Sequence, residues 1–309
     1  MKWRYVTVDV FTGQQFGGNP LAVFTDARGL TDAQMQSLAF ELNLSETTFV
    51  LPPADTMNSA RVRIFNRTAE MAFAGHPSIG TAYVLACSNH PHGDRLKLEV
   101  PAGIVDVEIE RTGGAPIGGK ITAPQALSLG RTFPRKIIAA CLGITSDDII
   151  TTTHAPMLAS VGNPYIIAEL TPQALERCSP DLNGFKAAYD GGADLRERFS
   201  VYVYARDGAD VRARMFAPLS GTYEDPATGS AATPLAGLLL HHSNRDELAF
   251  VIHQGECMNR PSLMYVTARR EGEAIRTTVA GRCVPVMEGI FNLSNSSSEA
   301  SHRPNVTSP

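Results

Sequence analysis

The feature that most limits what this chain can fold into is that it is written nearly twice. The segment from Arg61 to Ala82, RVRIFNRTAEMAFAGHPSIGTA, returns from Val211 to Ala231 as VRARMFAPLSGTYEDPATGSA. In this register His76 falls on Asp225, Pro77 on Pro226, Gly80 on Gly229 and Thr81 on Ser230, at a constant offset of 149. Upstream, Gly18-Asn19-Pro20 opens the apolar run Leu21 to Phe24, as Gly162-Asn163-Pro164 opens Tyr165 to Ala168, at an offset of 144. A unit of this length is domain-sized and too long for a solenoid or propeller repeat. The chain therefore reads as two similar halves, 1–121 and 122–285, with a site expected between them. The stretch near 286–293 can return to the first half as a last strand, and the polar 294–309 reads as a disordered tail.

Each copy encodes the same local structure. An alternating strand, Val62 and Ile64 against Arg61 and Arg63 or Ala213 and Met215 against Arg212 and Arg214, runs through a loop to a polar residue followed by Pro. Proline suits the first helical position because its missing N–H would be unpaired there anyway, so His76 and Asp225 are expected at or beside helix N-caps. The small residues that follow, Gly80 and Thr81 or Gly229 and Ser230, leave backbone N–H groups open to a ligand. Two such helix starts facing each other would make a pocket suited to a carboxylate or an enolate. Either motif alone also fits an ordinary capped helix packed by small residues.

Other elements follow from periodicity. Tyr5 to Phe11 reads as a first strand. Thr31 to Leu42 reads as a helix with Thr31 as cap, Gln34 as its capping-box partner and Met35, Leu38, Ala39 and Leu42 as its apolar stripe; Asn43 stops it. Glu46 then sits at a helix-to-strand corner, where a glutamate is ordinarily just exposed surface. Leu96 to Val100 and Ile104 to Glu110 form a hairpin, and Gly113 to Gly119 reads as a turn or crossover, lacking the order of a dinucleotide loop.

The runs Asn43 to Val50 (NLSETTFV), Phe73 to Ala82 (FAGHPSIGTA), Glu224 to Ala231 (EDPATGSA) and Gln254 to Ser262 (QGECMNRPS) closely resemble the PhzF-like family, named for the phenazine-biosynthesis isomerase. The likeness covers about residues 3 to 293, with the motifs in order. It implies the α+β diaminopimelate-epimerase fold: two pseudo-symmetric halves, each a sheet wrapped around a central helix, with the active site in the cleft. It makes Glu46 the proton-transferring acid/base, places His76 and Asp225 beside it, and gives the substrate carboxylate to Gly229 and Ser230. Asn19, Ser45, Gly80 and Thr81 complete the candidate substrate-binding set. Diaminopimelate epimerase carries cysteines at the two helix starts occupied here by His76 and Asp225. None of Cys87, Cys141, Cys178, Cys257 or Cys283 lies in a matching turn, so two-cysteine racemisation is not expected. Two departures stand near the motifs: Phe65-Asn66-Arg67-Thr68 in place of a Phe-Thr-Pro-like segment, and Asn259 in place of a common Gly.

The implied activity is cofactor-independent proton transfer on a small unsaturated or amino-substituted carboxylic acid, similar to trans-2,3-dihydro-3-hydroxyanthranilate isomerase. An amino-acid epimerase or racemase, or a non-catalytic metabolite-binding protein, are the alternatives. The family likeness also favours a homodimer. Composition narrows other classes: a net charge of -4 and a pI near 6.1 give no reason to expect nucleic acid or an anionic membrane as partner. Five scattered cysteines without CxxC spacing suit a reducing cytoplasm. Gly75 to Gly80 mimics the glycines of a P-loop, but Thr81-Ala82 stands where Lys-Ser/Thr is required. The close histidine pairs, His90/His92 and His241/His242, lack other ligands at metal spacing, so no metal is expected.

Overall fold

The computed structural model describes residues 1–88, 93–190 and 199–293. The first half runs β1 (Lys2–Val10), β2 (Asn19–Phe24), α1 (Asp32–Leu42), β3 (Glu46–Leu51), β4 (Ala60–Phe65), β5 (Glu70–Met71), α2 (Gly75–Cys87), β6 (Arg95–Val100), β7 (Gly103–Thr112) and β8 (Ala115–Thr122). The second runs β9 (Ser128–Thr132), α3 (Arg135–Leu142), β10 (Ile149–Ile150), β11 (Met157–Ser160), β12 (Pro164–Leu170), α4 (Pro172–Arg177), α5 (Leu182–Asp190), β13 (Val201–Asp207), β14 (Asp210–Ala217), β15 (Thr222–Asp225), α6 (Gly229–His241), β16 (Glu247–Gln254) and β17 (Ser262–Glu271), and ends in the long β18 (Ala274–Asn292).

The strand pairings repeat. In the first half β2 is parallel to β3, β3 antiparallel to β4, β4 parallel to β6, and β6 antiparallel to β7. In the second, β12 is parallel to β13, β13 antiparallel to β14, β14 parallel to β16, and β16 antiparallel to β17. Pairings of β1 with β2, β7 with β8, β8 with β18 and β18 with β1 close the first sheet into a barrel. The second closes through residues 123–127, whose amides donate to Thr277 and Ile275 of β18 on one side and to Val161 on the other. Strand β18 thus serves both barrels: Ala274 to Ala280 pair with β17, and Cys283 to Asn292 pair with β1.

Each barrel is filled by a helix that is apolar or small on every side, which is what an interior helix requires. In α2 every residue from Gly75 to Ala86 is buried; in α6 Ser230 is the one residue before His241 that is not. Alternation along the strands then sorts side chains into different cores. Tyr165 and Ile167 of β12 join the cluster around the two central helices, whereas Ile166, Ala168 and Leu170 face the cluster under α3, α4 and α5. Likewise Leu21 and Val23 point inward, while Phe24 meets Phe49, Phe65 and the Met35 and Leu38 stripe of α1.

Two readings change. The helices begin at Gly75 and Gly229, so His76 lies inside the first turn of α2, while Asp225 ends β15, three residues ahead of the N-cap Thr228. The backbone pairing of Asp225 with Met215 keeps that aspartate in a strand. Gly75 and Gly229, not His76 and Asp225, are therefore structural equivalents. Second, the glycine run from Gly113 is a two-residue turn followed by β8. A Cβ on Gly118 would lie 2.1 Å from the Gly281 carbonyl oxygen, so glycine there permits close strand pairing. The expectations for His90/His92 and for the tail 294–309 lie outside the described residues.

Candidate active site

Helix α1 starts on a capping box, Thr31 accepting from Gln34 N and the Gln34 side chain accepting from Thr31 N, and stops on Asn43 in the left-handed conformation (φ 51°). That stop turns the chain sharply into β3, whose first residue is Glu46. The corner is not open surface: the Glu46 side chain is only 15% exposed, and its Oε2 lies 3.1 Å from Nε2 of His76. Burial pushes the His76 imidazole down to about 3, so it is neutral at ordinary pH.

Both residues line a cleft of about 320 Å³ between the halves. Its floor is where the two central helices start. A Cβ on Gly75 would stand 3.6 Å from the Ser230 amide nitrogen and 3.8 Å from the Gly229 carbonyl carbon, so the two helix ends approach closely. Neither end carries a side-chain cap or an acidic residue in its first turn. The leading N–H groups of Gly75, His76, Gly229 and Ser230 have no intrahelical carbonyl to bond and converge with the positive ends of both helix dipoles. A carboxylate is the natural complement.

The opposite wall carries Asp225, Thr228, Ser230 and Tyr165. Ser230 Oγ lies 2.6 Å from the Tyr165 hydroxyl. Asp225 is 7% exposed; Asn19 Nδ2 donates to its Oδ1 at 2.9 Å and the Thr228 hydroxyl to its Oδ2 at 2.5 Å. Burial raises this carboxyl to about 6, against those two hydrogen bonds, which favour the ionised form.

Of the residues expected from sequence, Glu46, Ser45, His76, Asp225, Gly229 and Ser230 line the cleft; Asn19, Gly80 and Thr81 do not. Asn19 lies behind it, bridging Asp225 and the Ala227 carbonyl. Because α2 begins at Gly75, Gly80 and Thr81 fall more than a turn inside the barrel. A Cβ on Gly80 would meet Leu21 at 2.6 Å, and the Thr81 hydroxyl shares a hydrogen bond with Thr48 at 2.8 Å. Sequence reasoning missed Tyr165, Thr228 and Gln254. The first sits in the Asn163-Pro164-Tyr165 copy of the repeat and the last opens the QGECMNRPS motif, so their signals were present without a role attached. Of the departures, Asn66 lines the cleft and its Oδ1 accepts from Thr68 N and Ala69 N, and Asn259 takes a left-handed φ of 54° that asparagine tolerates. None of the five cysteines lines the cleft, and among the described residues no helix is long and apolar enough to cross a membrane.

Comparison with known proteins agrees with this architecture. A family model described as phenazine biosynthesis-like protein matches residues 8–289. The chain is 37% identical to a trans-2,3-dihydro-3-hydroxyanthranilate isomerase of Pseudomonas chlororaphis over 94% of its own length and 99% of the relative's. Among solved structures, a predicted epimerase from Pseudomonas aeruginosa superposes with a TM-score of 0.76 at 30% identity, covering 94% of this chain and 100% of the other. A PhzF-family protein of Bacillus anthracis superposes with a TM-score of 0.83 at 24% identity, covering 95% and 100%. A hydroxyproline epimerase of Agrobacterium vitis shares the fold, with a TM-score of 0.62 at 14% identity over 94% of this chain and 91% of the other. The molecule is an isomerase of the epimerase-like α+β class. Within that class it belongs to the phenazine biosynthesis-like (PhzF) family.

Proposed function

We propose that the chain moves a proton between two carbons of a small unsaturated or amino-substituted carboxylic acid, as the name of the trans-2,3-dihydro-3-hydroxyanthranilate isomerase suggests for that relative. The observation that carries this reading is the Glu46–His76 contact of 3.1 Å in a cleft floored by two facing helix starts. The Gly229 and Ser230 amides hold the substrate carboxylate. Glu46 takes a proton from one carbon and returns it at another of the same conjugated system, while the charge that develops spreads onto the held carboxylate. Neutral His76 fixes the Glu46 carboxyl, and Asp225 receives a substrate amine or hydroxyl.

In heavy water with a true substrate, the wild type places deuterium on carbon and Glu46→Gln does not. Glu46→Gln lowers turnover by roughly 10²-fold or more with ligand binding within a few fold. Ser230→Ala weakens carboxylate binding by about 1 kcal/mol, because the backbone donors remain. Undiminished deuterium uptake by Glu46→Gln overturns the assignment.

An epimerase reading draws support from the opposed placement of Asp225, which reaches the cleft from the other half and whose carboxyl burial pushes up to about 6. Solvent exchange at a single carbon with inversion would select it. The working assembly in this proposal is a homodimer; sedimentation at micromolar concentration showing only a species near 33.2 kDa rejects it.

A further inference from the structure

We propose that Gln254 is a positioning residue for this site: one buried amide sets the direction in which Thr228 shares its hydroxyl proton, and so delivers that proton to Asp225. The inference rests on the reading of Asp225 as a substrate-facing group.

Gln254 ends β16 and is 1% exposed. Two backbone groups fix which way its amide points. The Asp225 carbonyl can only accept, and Nε2 donates to it at 2.7 Å; the Thr228 N–H can only donate, and Oε1 accepts from it at 3.3 Å. The second hydrogen on Nε2 is then aimed at Thr228 Oγ1, 3.1 Å away. That hydroxyl accepts from Gln254, which leaves its single hydrogen for Asp225 Oδ2 at 2.5 Å. The Tyr202 hydroxyl donates to Oε1 at 3.2 Å, and burial keeps this phenol protonated. One side chain thus holds both ends of the 225–228 lead-in to α6 and orders the proton between them.

The charged and titratable groups around Asp225 come from several elements. Arg67, in the turn after β4, favours its ionised form; Glu224, next to it on β15, opposes that form and is itself paired with Arg214 at 2.8 Å; Tyr202 faces it from β13. Asn19 from β2 supplies the second hydrogen bond to the carboxylate.

The test is a ¹³C NMR titration of the Asp225 carboxyl carbon beside the pH profile of kcat/KM. Gln254→Glu puts an acceptor where Nε2 stood, draws the Thr228 hydroxyl toward itself and adds a charge. It raises the Asp225 midpoint by about one pH unit or more. Thr228→Val, which removes the hydroxyl, raises it by a similar amount, and Thr228→Ser leaves it at the wild-type value. The double variant Gln254→Glu/Thr228→Val titrates with Gln254→Glu alone, because both changes remove the same hydrogen bond. A double variant that adds the Thr228→Val shift on top of the Gln254→Glu shift overturns the inference, since Gln254 then acts through charge only. If the midpoints move as expected while the acid limb of kcat/KM stays in place, the positioning role stands and the reading of Asp225 as substrate-facing falls.

Discussion

His76 and Asp225 lose water to the same cleft and are pushed in opposite directions by it. Burial favours the neutral form of each, so the imidazole falls from 6.5 to about 3 and the carboxyl rises from 3.8 to about 6. Below pH 6.5 the unfolded chain protonates His76 while the folded one does not, so stability held above that pH is lost as the medium becomes acidic. Asp225 works with the other sign: the folded chain takes up its proton near 6 and the unfolded chain only near 3.8, so stability is gained as pH falls between them. From pH 7 to 5 the first effect costs about 2 kcal/mol and the second returns about 1 kcal/mol. Urea unfolding therefore shows a shallow loss for wild type, a deeper one for Asp225→Asn, and a rise for His76→Asn. A deeper loss in His76→Asn contradicts the buried, neutral imidazole. At this scale the sequence was only partly legible. Nothing local marks Glu46 as more than a surface residue; its place depends on α2, thirty residues on, bringing His76 against it. Asn19 was recognised as part of the repeat, but its side chain stops behind the cleft wall on Asp225, a contact 206 positions away.

Among the elements, the start of each central helix carries the most consequence. The echo aligned His76 with Asp225 through the shared proline, yet the helices start on Gly75 and Gly229. Proline marks a favourable helix start without requiring one, and the pairing of Asp225 with Met215 outweighed that preference. Periodicity served α1 well because its cap, stripe and stop are all local. It failed for β8, where what matters is how closely a neighbouring strand approaches. Two alanine substitutions separate these cases. Gly118→Ala drives a methyl into the Gly281 carbonyl at 2.1 Å and then costs about 2 kcal/mol or more, since only backbone can yield. Gly75→Ala meets nothing nearer than 3.6 Å and changes the unfolding midpoint little. Equal losses in thermal melts would mean that the β8–β18 contact is looser than described.

For the whole molecule, the duplication predicted two halves and a cleft, and the alternation predicted which faces are apolar. What it could not give was the ring order of the strands, because a period of two specifies a strand's face and not its neighbour. Strand β18 is the clearest case: its front part completes one barrel and its rear part the other. This arrangement makes the order of synthesis matter. Of the described strands β1 is made before its partners: β2 follows closely on one edge, but its other edge waits for residues 283–292 of β18, which come after every other described strand. Until they emerge, the first barrel carries an open edge able to pair with another chain. Contacts that span this much sequence also form slowly. In pulsed hydrogen exchange during refolding, β1 amides that donate to β18 should gain protection together with β18 and after the β3–β4 hairpin. The corner that carries Glu46, at the start of β3, would then be built early, and the barrel it belongs to closed last.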